Sequence, residues 1–417
     1  MYQINRQRVI EQMNDHSFAV FFSGVAPQKS ADQTYPFEVN RNFYYLTGIN
    51  QENVILVLLK GEGNVQEILF LEPIDPVQAL WVGEGLTKEK ATNLSGIKTI
   101  LDRNQFDGMI SRYLTDSRAA IFGELKYLYV DLERRDLNQL PSPSNQFAGR
   151  MQKQYPNLII SNIHLVLSRL RSVKHAIEIK HMQEAVDITK DAIESLMLNA
   201  KAGMKEYQLE AHYNFHLNYH GVKPSFTTIA ASGKNATVLH YEHNNDTLKD
   251  GDLILFDLGV YKDFYCSDIS RTFPVNGKFT KRQREIYEIV LEANKKSIEI
   301  LKPGLTNKEF NDFGKQCLID GLKRIGKIKE DQEINQYYYH SLGHFLGIDV
   351  HDVGDYSRPF EENQVVTVEP GLYIADENIG IRIEDNILIT QNGPVNLSKA
   401  IIKEVDDIEA FMKNRKN

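Results

Sequence analysis

Cysteine is scarce in this sequence: only Cys266 and Cys317 stand in 417 residues. Two are too few for a disulfide framework, and Cys266, in a strand-like stretch, reads as a small packed hydrophobe. Long apolar runs are missing as well, since none approaches the roughly 20 residues of a membrane span. The opening stretch MYQINRQRVIEQMNDHSFAVFFSG carries basic residues but no apolar core leading to a small-residue cleavage site. These absences lead to the expectation of a cytoplasmic protein without a membrane partner. Positive charge is in deficit too. With 48 Lys and Arg against 56 Asp and Glu, the net charge is −8, which argues against a nucleic-acid partner.

What remains is a globular composition, 42% hydrophobic and 25% charged. The length exceeds one ordinary core, so two domains are expected. Residues 1–165 read as a smaller α/β N-terminal domain. FAVFFSGV, NVILVLLK and VQEILFLEP look like strands, with helical stretches at Asn5–Asn14 and Thr87–Asn93. AAIFGEL, LYVDLE and NLIISNIH add expected strands. This part holds no phosphate loop, metal spacing or nucleophile motif. The aromatics of YPFEVNRNFYYLTG read as loop anchors over a core. Trp81, the one tryptophan, reads as a loop residue and an interface candidate.

A linker is expected at 166–174, followed by a second domain at 175–417. Its first helix carries an apolar stripe of Met182, Val186, Thr189, Ile193 and Met197. The next carries His212, His216 and His220 at i, i+4 and i+8, a metal-capable spacing with no acid to complete it, so they read as solvent-facing. Further helices are expected over Lys281–Leu301 and Thr306–Ile325. The stretch YYYHSLGHFLGIDVHD, with His340, His344 and His351, has no helical pattern and reads as loop and strand.

Two stretches carry chemistry. LILFDLGVYKDFYCSDISRTFP reads as two strands with an acid in each, Asp257 and Asp268. A turn centred on Lys262-Asp263 sets these acids directly opposite, with Cβ atoms about 5 Å apart. Opposed like charges on an apolar ribbon need compensation, and a bound cation supplies it. VVTVEPGLYIADENIGIRIEDNILIT repeats the pattern with Glu369 and Glu384, whose midpoint falls in the ADEN turn. Pro370 removes a ladder donor, so pairing is expected to be irregular there. Arg382, Glu384 and Asn386 share one face, though alternation alone leaves Glu384 less secure than Asp385. Two such hairpins suggest similar halves facing a cleft where four carboxylates and histidine converge. That donor set favours Mn²⁺ and accepts Co²⁺, Fe²⁺ or Zn²⁺, and four negative charges call for two ions.

The set FDLG…SDISRTFPV, HSLGHFLGIDVHD, VEPGLYI and GIRIED resembles the pita-bread metallopeptidases over about residues 165–417. Methionine aminopeptidases, prolidases, Xaa-Pro aminopeptidases and creatinases form this family. The resemblance implies an α+β pita-bread domain with pseudo-twofold halves. It implies the metal ligands Asp257, Asp268, His344, Glu369 and Glu384, with Asp268 and Glu384 bridging two ions, and so selects Glu384 over Asp385. It also implies a hydroxide between the ions as nucleophile and Glu369 as proton shuttle. His240 and His351 match catalytic, substrate-binding histidines; His340, Tyr373 and Arg382 match the proline-side pocket. NFYYLTG and FLEPIDPVQALWVGEGL resemble the N-domain of Xaa-Pro aminopeptidases and prolidases, which methionine aminopeptidases lack. Creatinases lack the full ligand set. Only 14 residues separate Glu369 from Glu384, which is more like an Xaa-Pro aminopeptidase than a prolidase. The expectation is therefore an enzyme releasing the residue before an N-terminal-side proline, forming a homodimer or homotetramer. A prolidase and a non-catalytic pita-bread binding protein are the alternatives.

Overall fold

The computed structural model describes residues 1–73, 75–115 and 121–415. They form two compact units, Met1–Leu170 and Arg171–Asn417. The first is a mixed six-stranded sheet ordered 99–102, 64–71, 55–61, 17–22, 127–130 and 159–162. Its central strands, Ser17–Phe22 and Ile55–Gly61, are buried along almost their whole length, so they read as continuous apolar runs rather than alternating ones. Phe106 and Phe147 pack on this sheet from the helices Phe106–Thr115 and Pro143–Gln154.

Three expectations for this unit change. Ile121–Leu125 of AAIFGEL is turn, not strand, while Ala119 and Ala120 lie outside the described residues. Side chains take its carbonyls: Asn64 Nδ2 donates to Ile121 O at 3.0 Å and His16 Nδ1 to Phe122 O at 2.9 Å, leaving no ladder for a strand. Of the aromatics of 35–48, Tyr35 and Phe37 lie in a loop, but Phe43, Tyr44 and Tyr45 sit on a buried helix, Arg41–Thr47, capped by Asn40 and Gly48. Trp81 lies on a short helix, Pro76–Val82, whose N-cap is Asp75. The linker segment 166–174 is mostly helix, running His164–Ser172, and Leu167, Arg169, Leu170 and Arg171 are good helix formers.

The second unit repeats one theme. The helices Ala176–Asn199 and Glu206–His220 pack together and precede an acidic hairpin over 253–274. The helices Lys281–Glu299 and Asn307–Arg324 do the same before the hairpin over 365–388. The stripe Met182, Val186, Thr189, Ile193 and Met197 is buried. Thr280 and Thr306 cap the second pair, each in a reciprocal capping box.

The first hairpin turns one residue later than expected. Its tip is Asp263-Phe264, with φ of 48° and 70°, the paired left-handed residues of a type I′ turn. Neither is Gly or Asn, so the usual signal is missing. Asp257 therefore faces Ser270 rather than Asp268. Asp268 remains on the same face as a diagonal neighbour. The ladder breaks at Gly259 and at Ser267-Asp268. Gly259 lets the strands close there, since a Cβ on it would meet Ser267 O at 1.9 Å. The second hairpin holds its expected register from Val365↔Leu388 to Ile374↔Ile379. It too is interrupted at the acids, where residues 369–370 and 383–384 leave the strands. Pro370 is the cause, having no N–H to donate.

Candidate functional site

The two hairpins bond to each other where their ladders break. Glu384 N donates to Ser270 O at 3.1 Å, and Asp268 N donates to Asn386 Oδ1 at 3.2 Å. Asn386 Nδ2 returns a bond to Asp268 O at 2.5 Å. The Asn386 amide thus takes the place of a neighbouring strand and fixes the Asp268 backbone. The His344 loop is docked in the same manner. Its N–H donates to Thr367 Oγ1 at 3.0 Å and its C=O accepts from Thr367 N at 2.9 Å.

These contacts line a cavity of about 550 Å³ with His240, Asp257, Asp268, His340, His344, His351, Glu369, Arg382 and Glu384. Ligating atoms of Asp268, His344 and Glu384 lie within 4.8 Å of one another. His344 Nε2 is 3.3 Å from Asp268 Oδ2 and 3.6 Å from Glu369 Oε1. Its Nδ1–H donates to Phe345 O at 3.0 Å, which leaves Nε2 as the lone-pair face toward the acids.

Asp257 and Arg382 continue the array. Arg382 Nη2 donates to Asp257 Oδ2 at 2.5 Å, Nε to Ser270 Oγ at 2.8 Å and Nη1 to Tyr373 Oη at 2.9 Å. Tyr373 Oη also meets His340 Nε2 at 2.8 Å. Tyr373 is buried and not part of the cavity wall. Through its hydroxyl it joins His340 and Arg382, which do reach the cavity.

The charges are far from balanced. Burial pushes the Glu369 carboxyl up to about 7, His344 opposing and Asp268 reinforcing the rise. Burial, with Asp268 and Glu369 nearby, drives Glu384 well above the carboxylate range. Burial also raises Asp268 against the pull of His344. Burial works against the charged form of His344, yet Asp268 and Glu369 carry it up to about 9. His340 is taken down to about 4 by burial and by Arg382. Acids packed this closely hold protons unless cations replace them. Asp257 Oδ1 and Glu384 Oε1 are buried and accept no hydrogen bond. Orphaned carboxylate oxygens facing a shared cavity beside a histidine nitrogen fit divalent metal ions.

Ser270, Thr367 and Asn386 escaped notice as supports, although each sits two residues from an acid and so on its face. The cavity's apolar wall of Phe226, Ile229, Leu239, Val350 and Tyr356 also had no sequence signal. His212, His216 and His220 belong to no metal-capable group among the described residues.

Fold and site together are those of a pita-bread metallopeptidase. The model of metallopeptidase family M24 matches residues 180–391, and that of the aminopeptidase P N-terminal domain matches residues 2–122. The chain belongs to metallopeptidase family M24. The Xaa-Pro aminopeptidase of Haemophilus influenzae is 37% identical over 431 residues, covering 99% of this chain and 96% of its own. A Bacillus anthracis structure, provisionally assigned as an aminopeptidase P, has a TM-score of 0.97 at 46% identity, covering 100% of this chain and 98% of its own. Zn-substituted Escherichia coli aminopeptidase P in complex with product has a TM-score of 0.89 at 34% identity, again covering 100% and 98%. No helix among the described residues is long and apolar enough to cross a membrane.

Proposed function

We propose that the protein is an Xaa-Pro aminopeptidase, hydrolysing the bond between an N-terminal residue and a following proline. The observation that carries this reading is the joining of five candidate ligands to the Arg382–Tyr373–His340 array in one cavity. The full-length likeness to Xaa-Pro aminopeptidases supports it.

Asp257, Asp268, His344, Glu369 and Glu384 would hold two divalent ions. The oxygen-rich donor set favours Mn²⁺ and accepts Co²⁺, Fe²⁺ or Zn²⁺. Such ions supply Lewis acidity and a water that is nucleophilic at neutral pH. The chain's own groups do the rest. Glu369 takes the proton of the attacking water and returns it to the leaving nitrogen, standing beside both His344 and His340. His240 and His351 open into the cavity and donate to the oxygen on which charge develops. Arg382 and His340, held by Tyr373, receive the proline side of the substrate.

Assay of Mn²⁺-loaded protein on an Xaa-Pro dipeptide and an Xaa-Pro-Xaa tripeptide tests the reading. Turnover of the tripeptide is expected; turnover of the dipeptide alone makes the protein a prolidase. A protein that holds no metal and cleaves neither peptide is the non-catalytic binding module.

We assign residues 1–165 as the N-domain, 166–174 as its junction and 175–417 as the catalytic domain. The free cysteines Cys266 and Cys317 support a reducing, cytoplasmic setting. A homodimer or homotetramer is supported by the exposed apolar side chains Val77, Leu80 and Trp81 on one short helix, and light scattering checks it.

A further inference from the structure

A second group of metal-capable side chains lies outside this cavity, where the first hairpin's tip meets the helix Ala176–Asn199. It comprises His181, Glu184 and Asp263, with ligating atoms within 4.8 Å of one another. His181 and Glu184 are three residues apart on the helix, so they share a face. Asp263 comes from the type I′ tip.

His181 Nδ1 is buried and makes no hydrogen bond. It points between two carboxylates, 3.4 Å from Asp263 Oδ2 and 3.8 Å from Glu184 Oε2. Tetrahedral zinc, with bonds of about 2.0–2.2 Å to nitrogen and oxygen, sets ligand atoms about 3.4 Å apart. The His181–Asp263 edge has that length and the other is a few tenths longer. The imidazole plane is already held, stacked on Tyr265 at 5.7 Å and 14°. Tyr265 is itself fixed by its hydroxyl bond to Glu178 Oε1 at 2.8 Å.

The same two oxygens already share a cation. Lys262 Nζ lies 2.5 Å from Asp263 Oδ2 and 3.1 Å from Glu184 Oε2. The ammonium neutralises the two acids, and no hydrogen bond from it reaches His181 Nδ1. A borderline divalent ion satisfies all three groups at once.

We propose that His181, Glu184 and Asp263 form a peripheral site for one Zn²⁺-class ion, with Lys262 as the cation it displaces. An ion there ties the tip of the Asp257–Asp268 hairpin to the helix Ala176–Asn199. None of the three residues belongs to the cavity described above.

Zn²⁺ itself is the probe. Full-length protein is dialysed against Zn²⁺ and its metal content counted, beside His181→Ala and Lys262→Met. His181→Ala is expected to hold one ion fewer per chain than the parent. Lys262→Met is expected to bind this ion at least tenfold tighter, because the competing ammonium is gone. The comparison is between variants, so it does not depend on how many ions the main cavity takes. A second measurement uses Asp268→Ala/Glu384→Ala, confirmed folded by circular dichroism. There one Zn²⁺ per chain should remain and should vanish when His181→Ala is added. Equal zinc content in the parent and His181→Ala overturns the proposal. So does weaker or unchanged zinc binding in Lys262→Met, which would show that the ammonium and the ion do not compete for one place.

Discussion

Ser270→Ala is the most informative single change to the candidate centre. The Ser270 hydroxyl donates to Glu384 Oε2 at 2.8 Å and accepts from Arg382 Nε at 2.8 Å. It is the one hydrogen bond that the Glu384 carboxylate accepts among the described residues, because Oε1 accepts none. Removing it leaves a buried carboxylate and a buried guanidinium nitrogen each short of a partner. Hydrogen bonds to charged groups contribute about 1.5–3 kcal/mol each, so the two together bound the loss at about 3–6 kcal/mol. Water entering from the adjoining cavity recovers part of that. Loss of such a supporting contact to a metal ligand commonly costs about 10- to 100-fold in metal affinity or activity, or about 1.4–2.7 kcal/mol. The expectation for Ser270→Ala is therefore a 10- to 100-fold fall in kcat/KM on an Xaa-Pro-Xaa tripeptide, with weaker metal retention. Ser270→Thr keeps the hydroxyl and should restore most of both. Circular dichroism and a thermal melt separate this from misfolding. Ser270→Ala within twofold of the parent in kcat/KM and metal affinity would refute the positioning role.

Asp268→Asn should abolish peptide cleavage, since an amide cannot bridge two cations as a carboxylate does; substantial activity with full metal content would contradict the assigned ligand. Gly343→Ala should misplace the adjacent His344, because its Cβ would meet Thr367 O at 2.0 Å; reduced metal content and a lower melting temperature are the readouts. Asp352 is buried between Lys174 Nζ at 2.8 Å and Arg171 Nη2 at 2.5 Å. Burial works against its charge, but these two cations outweigh burial and lower its carboxyl pKa. A lowered folded pKa means the stabilisation is fully present above the unfolded value of about 3.9 and fades as pH falls through the folded one. Asp352→Asn should thus cost about 3–5 kcal/mol near neutrality, as for a broken buried pair, and progressively less below about pH 4. Urea melts at two pH values measure this.

The two hairpins show what a sequence discloses and where it stops. Each was visible from apolar strands flanking a polar turn, and the second kept its expected register because a short polar turn closes it. The first slipped by one residue because its tip, Asp263-Phe264, uses left-handed φ without glycine or asparagine. Alternation still placed Asp257 and Asp268 on one face, since a shift of two positions preserves parity. The same parity already held Ser270, Thr367 and Asn386 beside the acids. What it lacks is the crossing of one hairpin over the other, which alone turns a polar residue into a support for an acid 114 or more positions away.

That crossing also explains why the ladders break at the acids. A carboxylate within a continuous strand would leave its backbone committed to the neighbouring strand of its own sheet. Ser267 N and Ile383 N stay bonded within their own hairpins, but at Asp268 and Glu384 the backbone turns to the other half: Asp268 to the Asn386 amide, Glu384 N to Ser270 O. The two candidate bridging residues are therefore each positioned by the opposite half. Neither half can build the site alone, and any change that loosens the crossing should disturb both acids together. A double-mutant cycle on Ser270→Ala and Asn386→Ala makes this measurable: independent supports would give additive losses in metal affinity, whereas a shared crossing predicts coupling on the order of 0.5–3 kcal/mol.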